Sequence, residues 1–180
     1  LEKYKIHGAS VAVINNGKID WTKTYGFKGA KHQHPITKET LFQSASIGKI
    51  ITALAALKLV EQGKLDLDEN INNQLKKWKL PENSITKKTP VTLRHLLTHT
   101  AGLTDDYGFL GYAPKQDIPT LLQILNNEKP AKTKKKLVIK TIPGTKERYS
   151  GAGYLVIQLL IEENSGISFE KFVEQIIFQP

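Results

Sequence analysis

The sequence predicts a mixed α/β fold of the α+β kind, with strands first and helices afterwards. An Asn-Gly pair separates two strand-like runs near the start of the chain, and several apolar helical segments follow it. Hydrophobic residues make up 39% of the chain and charged residues 24%, which is typical of a globular domain with a buried core. No apolar run reaches the ~18 residues that a membrane-spanning helix requires.

The strand pair is predicted at residues 9–14 and 18–25, joined by an Asn-Asn-Gly turn. Asn-Gly between two such runs favours a tight hairpin. A single hairpin is only marginally stable, so we expect further strands beyond residue 180. We assign residues 1–30 to the first strands of a sheet domain and residues 31–180 to a mainly helical lobe. Residues 26–40 are predicted to form a polar loop.

The strongest helical segment covers residues 46–62, which are rich in Ala, Leu and Lys and are followed by Gly63. Its apolar residues occupy most of its circumference, and this predicts a buried central helix. Further helices are predicted at residues 92–98, 119–126, 153–164 and 168–177.

A Ser-x-x-Lys pattern, Ser46 to Lys49, opens this helix. Residues three apart share a helix face, so the amine can reach the hydroxyl. Free N–H groups in a first helical turn favour developing negative charge. Apolar neighbours favour a neutral amine, which can accept the Ser proton and activate the nucleophile. The spacing alone is not specific, because Ser84 and Lys87 repeat it in a polar stretch between prolines.

Three segments in order resemble the serine β-lactamase and penicillin-binding-protein superfamily, in its class C-like branch. Phe-Gln-Ser-Ala-Ser-Ile-Gly-Lys at 42–49 is similar to the first catalytic motif. His-Leu-Leu-Thr-His-Thr-Ala-Gly-Leu at 95–103 resembles the segment that follows it. Pro-Gly-Thr at 143–145, leading to Tyr-Ser-Gly at 149–151, resembles the second motif, Tyr-x-Asn.

The resemblance implies a β-lactamase/transpeptidase-like fold, an antiparallel sheet flanked by helices plus a helical lobe. It implies that Ser46 attacks a carbonyl and is acylated, and that Lys49 holds or accepts its proton. Tyr149 would be the shared base and acid, and water would release the acyl group. The expected substrate is a small ester, amide or D-amino-acid peptide. We expect no metal and no organic cofactor.

Two departures from the family pattern affect the expected activity. Gly151 stands where the family has the Asn that contacts the substrate's amide side chain, which weakens the case for β-lactam hydrolysis. No match to the third motif follows Tyr149, so we expect the missing C-terminal strands to complete the site. A β-lactamase or penicillin-binding protein is one alternative, and a non-catalytic binding relative is another.

Composition excludes or disfavours several further classes of site and partner. The chain has no Cys, which excludes disulfides, thiolate metal sites and a Cys nucleophile. Its net charge of +9 comes from 24 Lys and 2 Arg. Because Arg is the better residue for phosphate and guanine contacts, we do not expect a nucleic-acid partner. The Lys-rich residues 129–140 are interpreted as a solvated loop. The resemblance suggests a bacterial envelope or secreted location.

Two histidine pairs have spacings that can bind a metal. One is His32 and His34, and the other is His95 and His99. No third ligand is evident near the first pair. The second pair lacks the intervening Glu of the metalloprotease arrangement, and the resemblance treats its segment as structural. We therefore favour an exposed loop for the first pair and a structural role for the second.

Overall fold

A computed structural model describes residues 2–29, 32–104, 111–113, 115–133 and 135–179. The chain divides into two compact units, Leu1–Ala45 and Ser46–Pro180. The elements in chain order are β1 Gly8–Asn15, β2 Lys18–Gly29, β3 His32–Pro35, α1 Gly48–Glu61, α2 Ile71–Gln74, α3 Leu93–Leu97, α4 Leu121–Asn126, α5 Gly151–Ser165 and α6 Phe169–Val173. Short 3-10 turns cover Glu2–Tyr4 and Ala45–Ile47, and a π-helical turn covers Glu174–Phe178.

The first unit contains a three-stranded antiparallel sheet in the order β1-β2-β3. The predicted hairpin is confirmed, with Asn15 opposite Lys18. The two turn residues, Asn16 and Gly17, have φ of 48° and 72°. Positive φ at both central positions matches the right-handed twist of the strands, which explains why the Asn-Gly signal was informative.

The prediction of a polar loop over residues 26–40 is wrong in part. β2 continues to Gly29, and Phe27 pairs with Pro35 on β3. The composition of β3 (His-Gln-His-Pro) gives little strand signal, because its pairing is stabilised by the neighbouring strand and not by intrinsic propensity. β3 belongs to the first compact unit, which ends at residue 45. The interpretation of His32 and His34 as residues of a loop is wrong, because both lie on β3. The side chain of His32 lies outside the described residues.

Helix α1 forms where it was predicted, and a 3-10 turn precedes it. Ala55, Ala56 and Leu59 are fully buried, and α1 packs on α5 and α6. Ile50 and Leu54, however, are 62% and 48% exposed. The prediction of a helix buried on all sides is therefore wrong for the part of the chain that the structure describes, where α5 and α6 pack on the face of α1 that carries its buried residues.

Helix α5 is the centre of the second unit and contacts α1, α3, α4 and α6. Its Ser150 N-cap accepts the Gly153 N–H through Oγ at 2.9 Å, and Gly166 ends it with φ of 78°. The core around it is apolar, and its fully buried members include Leu93, Leu96, Val156, Ile157, Leu160 and Ile161. Among the described helices, none combines the length and apolar character needed to cross a membrane.

Candidate active site

Ser46 lies in the 3-10 turn that leads into α1. The preceding residue, Ala45, has φ of 46°, a left-handed conformation that is unusual for a residue with a Cβ. Such conformations cost about 1–3 kcal/mol and concentrate at functional sites. Ser46 is exposed, and the first turn of α1 follows it directly, where backbone N–H groups lack helical partners.

Ser46 and Tyr149 meet although 103 residues separate them in sequence. The Ser46 Oγ and the Tyr149 hydroxyl oxygen are 2.5 Å apart. This distance lies at the short end for a hydroxyl–hydroxyl bond, and it allows a proton to pass directly between the two oxygens. The pairing depends on tertiary structure, because Ser46 precedes α1 and Tyr149 precedes α5.

Lys49 lies in the first turn of α1 and is half-buried. Its Nζ is 4.9 Å from the ring centroid of Tyr149 and 5.4 Å from that of Tyr154. A cation at such a distance from an aromatic ring is attracted to it. The two residues of the Ser-x-x-Lys pattern therefore both meet Tyr149, one at its hydroxyl and the other at its ring.

Tyr154 lies on α5 beside this group. Burial raises the pKa of the Tyr154 hydroxyl above its usual value, and the adjacent Tyr149 adds to the rise. The neutral hydroxyl donates a hydrogen bond to the Leu97 carbonyl at 3.2 Å. Tyr154 is thereby tied to the end of α3, with its ring close to the Lys49 amine.

His99 follows α3 and contacts both neighbours of Tyr149 along the chain. Its carbonyl accepts the Arg148 N–H at 2.8 Å, and its Nδ1 accepts the Ser150 N–H at 3.1 Å. Its ring centroid is 4.5 Å from that of Tyr149. Sequence reasoning assigned His99 and Tyr154 no place in the site, and no spacing signal links either residue to Ser46.

Gly151 is the first residue of α5 and is buried. It lies two residues after Tyr149, at the position that the resemblance assigned to substrate binding. Without a side chain, it can offer a substrate only its backbone groups. Its role in substrate binding stays a prediction.

The second Ser-x-x-Lys match has a different environment. Ser84 and Lys87 lie in a turn and are both exposed. The Lys87 N–H donates to the Asn83 carbonyl, which closes the turn. No aromatic contact or hydrogen bond of the described residues joins this pair to the Ser46 group.

His95 and His99 point to different partners. Nδ1 of His95 accepts the Thr92 N–H at 3.2 Å and completes the cap of α3. Burial lowers the pKa of His95, and the Arg94 charge lowers it further against the opposing effect of Asp68. In the described part of the chain, no group of three or more His, Cys, Asp or Glu residues could hold a metal ion.

The family model described as Beta-lactamase matches residues 1–180. The chain belongs to the beta-lactamase family. It is 30% identical to a penicillin-binding protein of Bacillus subtilis over 186 residues, covering 99% of this chain and 37% of that protein. It is also 30% identical to a beta-lactamase of Escherichia coli over 182 residues, covering all of this chain and 43% of that one. The chain thus spans about two fifths of the length of these curated relatives.

Solved structures of this family share the fold. The octameric penicillin-binding protein homologue from Pyrococcus abyssi superimposes with a TM-score of 0.76 at 30% identity, covering 99% of this chain and 40% of that one. EstCE1, a hydrolase with promiscuous acyltransferase activity, gives 0.77 at 26%, and a D-amino acid amidase from Ochrobactrum anthropi gives 0.73 at 26%. Each of these two matches covers 99% of this chain and 48% of the other. The predicted β-lactamase/transpeptidase-like fold class is confirmed.

Proposed function

We propose that the protein is a serine hydrolase that forms an acyl-enzyme on Ser46, acting on a small ester, amide or D-amino-acid peptide. The observation that carries this proposal is the 2.5 Å contact between the Ser46 and Tyr149 oxygens, with the Lys49 amine beside the Tyr149 ring. A hydroxyl becomes a nucleophile when a base within hydrogen-bond reach takes its proton.

Tyr149 supplies that base as its phenolate, which the Lys49 ammonium favours electrostatically. The phenolate removes the Ser46 proton while Oγ attacks the carbonyl carbon, and the negative charge passes to the carbonyl oxygen. The Ser46 N–H, in the 3-10 turn before α1, donates a hydrogen bond to this oxyanion. Tyr149 then returns the proton to the departing alcohol or amine.

Water completes the cycle. It attacks the acyl group on Ser46 as Tyr149 removes one of its protons, and the acid product leaves as that proton returns to Ser46 Oγ. Ser46 and Tyr149 therefore account for the proton transfers of both the acylation and the deacylation step. The second oxyanion donor and the strand that binds a substrate carboxylate remain, in this proposal, with the further strands expected from the resemblance.

The related structures support an acyl-transfer reaction but differ in substrate, because one is described as a hydrolase with acyltransferase activity and another as a D-amino acid amidase. Gly151 leaves α5 without the amide side chain that the β-lactamase motif places there. We therefore rank ester or amide hydrolysis above β-lactam hydrolysis.

Intact-mass spectrometry of the full-length protein tests this proposal. The protein is exposed to a p-nitrophenyl ester and, separately, to a penicillin, with Ser46→Ala alongside. Ser84→Ala is the matched control, because Ser84 has the same spacing to a lysine but lies in an exposed turn. We expect an acyl adduct on wild type and on Ser84→Ala, and none on Ser46→Ala.

The preferred probe separates an esterase or amidase from a penicillin-recognising enzyme. No adduct with either probe on the folded wild-type protein would contradict the hydrolase proposal and favour a non-catalytic binding relative.

A further inference from the structure

The loop after α3 runs beside the loop that leads into Tyr149, and a series of backbone contacts joins the two. Leu103 bridges to Ile139, and the Lys140 N–H donates to the Gly102 carbonyl at 2.9 Å. Closer to the site, the Gly144 N–H donates to the Thr100 carbonyl at 2.9 Å. His99 is the last contact in this series and the nearest to Tyr149.

We propose that His99 is a positioning residue that holds Tyr149 in register with Ser46. This role rests on the proposed function, because it acts through the proton transfer assigned to Tyr149. His99 does not take part in the proton transfers derived above, and its ring and carbonyl contact Tyr149 and the two residues that flank it.

The first support is that His99 holds the backbone on both sides of Tyr149. Its carbonyl accepts the N–H of Arg148 at 2.8 Å, and its Nδ1 accepts the N–H of Ser150 at 3.1 Å. Ser150 is itself buried and caps α5 through its Oγ. The Tyr149 backbone is therefore fixed between a buried helix cap and the end of the α3 loop.

The second support is the contact between the rings. Tyr149 is 53% exposed, so core packing alone does not fix its side chain. The His99 ring lies 4.5 Å from the Tyr149 ring and 5.2 Å from the Tyr154 ring, tilted by 31° and 34°. The imidazole thus contacts the Tyr149 ring and the Tyr154 ring at the same time.

The third support is the backbone of His99, which has φ of 59°. Non-glycine residues adopt this left-handed region rarely, and Asn, Asp and His are enriched there. In this conformation the Nδ1 and the carbonyl of one residue reach the two N–H groups that flank Tyr149. A side chain suited to this position must tolerate positive φ and offer an acceptor.

Such positioning matters because a displacement of about 1 Å in a reacting group can lower a rate by about 100-fold. With the His99 contacts removed, Tyr149 is expected to leave the 2.5 Å contact with Ser46. Because Tyr149 acts in both steps of the proposed mechanism, the loss falls on acylation and deacylation alike, whereas substrate affinity is not expected to change.

The test compares two substitutions in the full-length protein. His99→Gly removes the imidazole ring and its Nδ1 acceptor while relieving the left-handed backbone. His99→Asn keeps an acceptor and tolerates positive φ but lacks the ring. Asn127→Gly is the matched control, because Asn127 also has positive φ (58°) and caps α4. Burst amplitude with a p-nitrophenyl ester counts active sites, and the burst rate gives acylation per site.

We expect His99→Gly to acylate about 100-fold more slowly per active site with KM unchanged. His99→Asn should recover to within about 10-fold of wild type, because it keeps an acceptor for the Ser150 N–H. Asn127→Gly should match wild type. A loss of burst amplitude at an unchanged rate per site would show a merely structural role and overturn the proposal.

A double-mutant cycle identifies the residue through which His99 acts. In the Tyr149→Phe background, His99→Gly and His99→Asn should each change the slow residual acylation rate less than about 3-fold, because the group they position is gone. An additive loss in that background, or wild-type rates in both single variants, would overturn the proposal. Should His99→Gly fail to fold, His99→Asn alone completes the cycle.

Failure of the proposed function gives a different result. In that case wild type forms no acyl adduct at all, whereas failure of the positioning role leaves an active wild type and active His99 variants.

Discussion

Replacing Gly102 with Ala tests the close contact between the loop after α3 and the loop that leads into Tyr149. Gly102 has φ of 73°, and a Cβ built there would lie 2.2 Å from the Thr141 carbonyl oxygen and 2.8 Å from the Thr141 hydroxyl. Backbone atoms cannot yield as a flexible side-chain end can. Gly102→Ala should therefore force the loop that carries His99 away from the loop that leads to Tyr149.

Gly63 supplies the matched control. It also has positive φ, 67°, but a Cβ there would meet nothing within 4 Å. Alanine in the left-handed region costs about 1–2 kcal/mol, which is the full expected effect of Gly63→Ala. Overpacking adds about 1–3 kcal/mol, so Gly102→Ala should destabilise by about 2–5 kcal/mol.

Urea unfolding of the full-length protein, followed by circular dichroism, measures both variants. The difference between their free energies of unfolding isolates the contact with Thr141, because the backbone term is common to both. Equal destabilisation by the two substitutions would show that the loops separate without cost. That result would refute the reasoning about the contact between Gly102 and Thr141.

Three other substitutions have effects that follow from the structure. Ser150→Ala removes the α5 cap and should cost about 1 kcal/mol in urea unfolding, whereas no change would show that the cap is dispensable. Leu160 is fully buried, so Leu160→Ala should cost about 2–5 kcal/mol, and a loss below this range would indicate a core that collapses around the cavity. Nδ1 of His95 accepts the Thr92 N–H only when unprotonated. Because burial holds the folded-state pKa of His95 below its usual 6.5, its stabilisation is complete above that pH and is lost as the pH falls through the folded pKa. The gap in urea midpoint between wild type and His95→Gln should shrink from pH 8 to pH 5, and a constant gap would contradict this assignment.

The local predictions succeeded where a short stretch of chain carries its own physical signal. The Asn16-Gly17 turn and the end of α1 just before Gly63 were both predictable, because positive φ in a turn or after a helix favours particular residues. β3 was missed because its residues have little intrinsic strand preference and its hydrogen bonds come from β2. The full burial of α1 was wrong because periodicity reports which residues are apolar and not how many elements cover them.

The sequence by itself determined the family resemblance, the strand-then-helix order and the three-residue spacing that places Lys49 one turn after Ser46. Tertiary structure alone decided that the Ser46 and Tyr149 oxygens lie 2.5 Å apart and that His99 holds the residues on either side of Tyr149. It also separated two identical Ser-x-x-Lys patterns, because the Ser84 copy lies in an exposed turn. The physical reason is the distance along the chain. Turns and caps depend on a few adjacent residues, whereas the site depends on contacts between residues 51 and 103 positions apart, which form only when α1, α3 and α5 pack into one core.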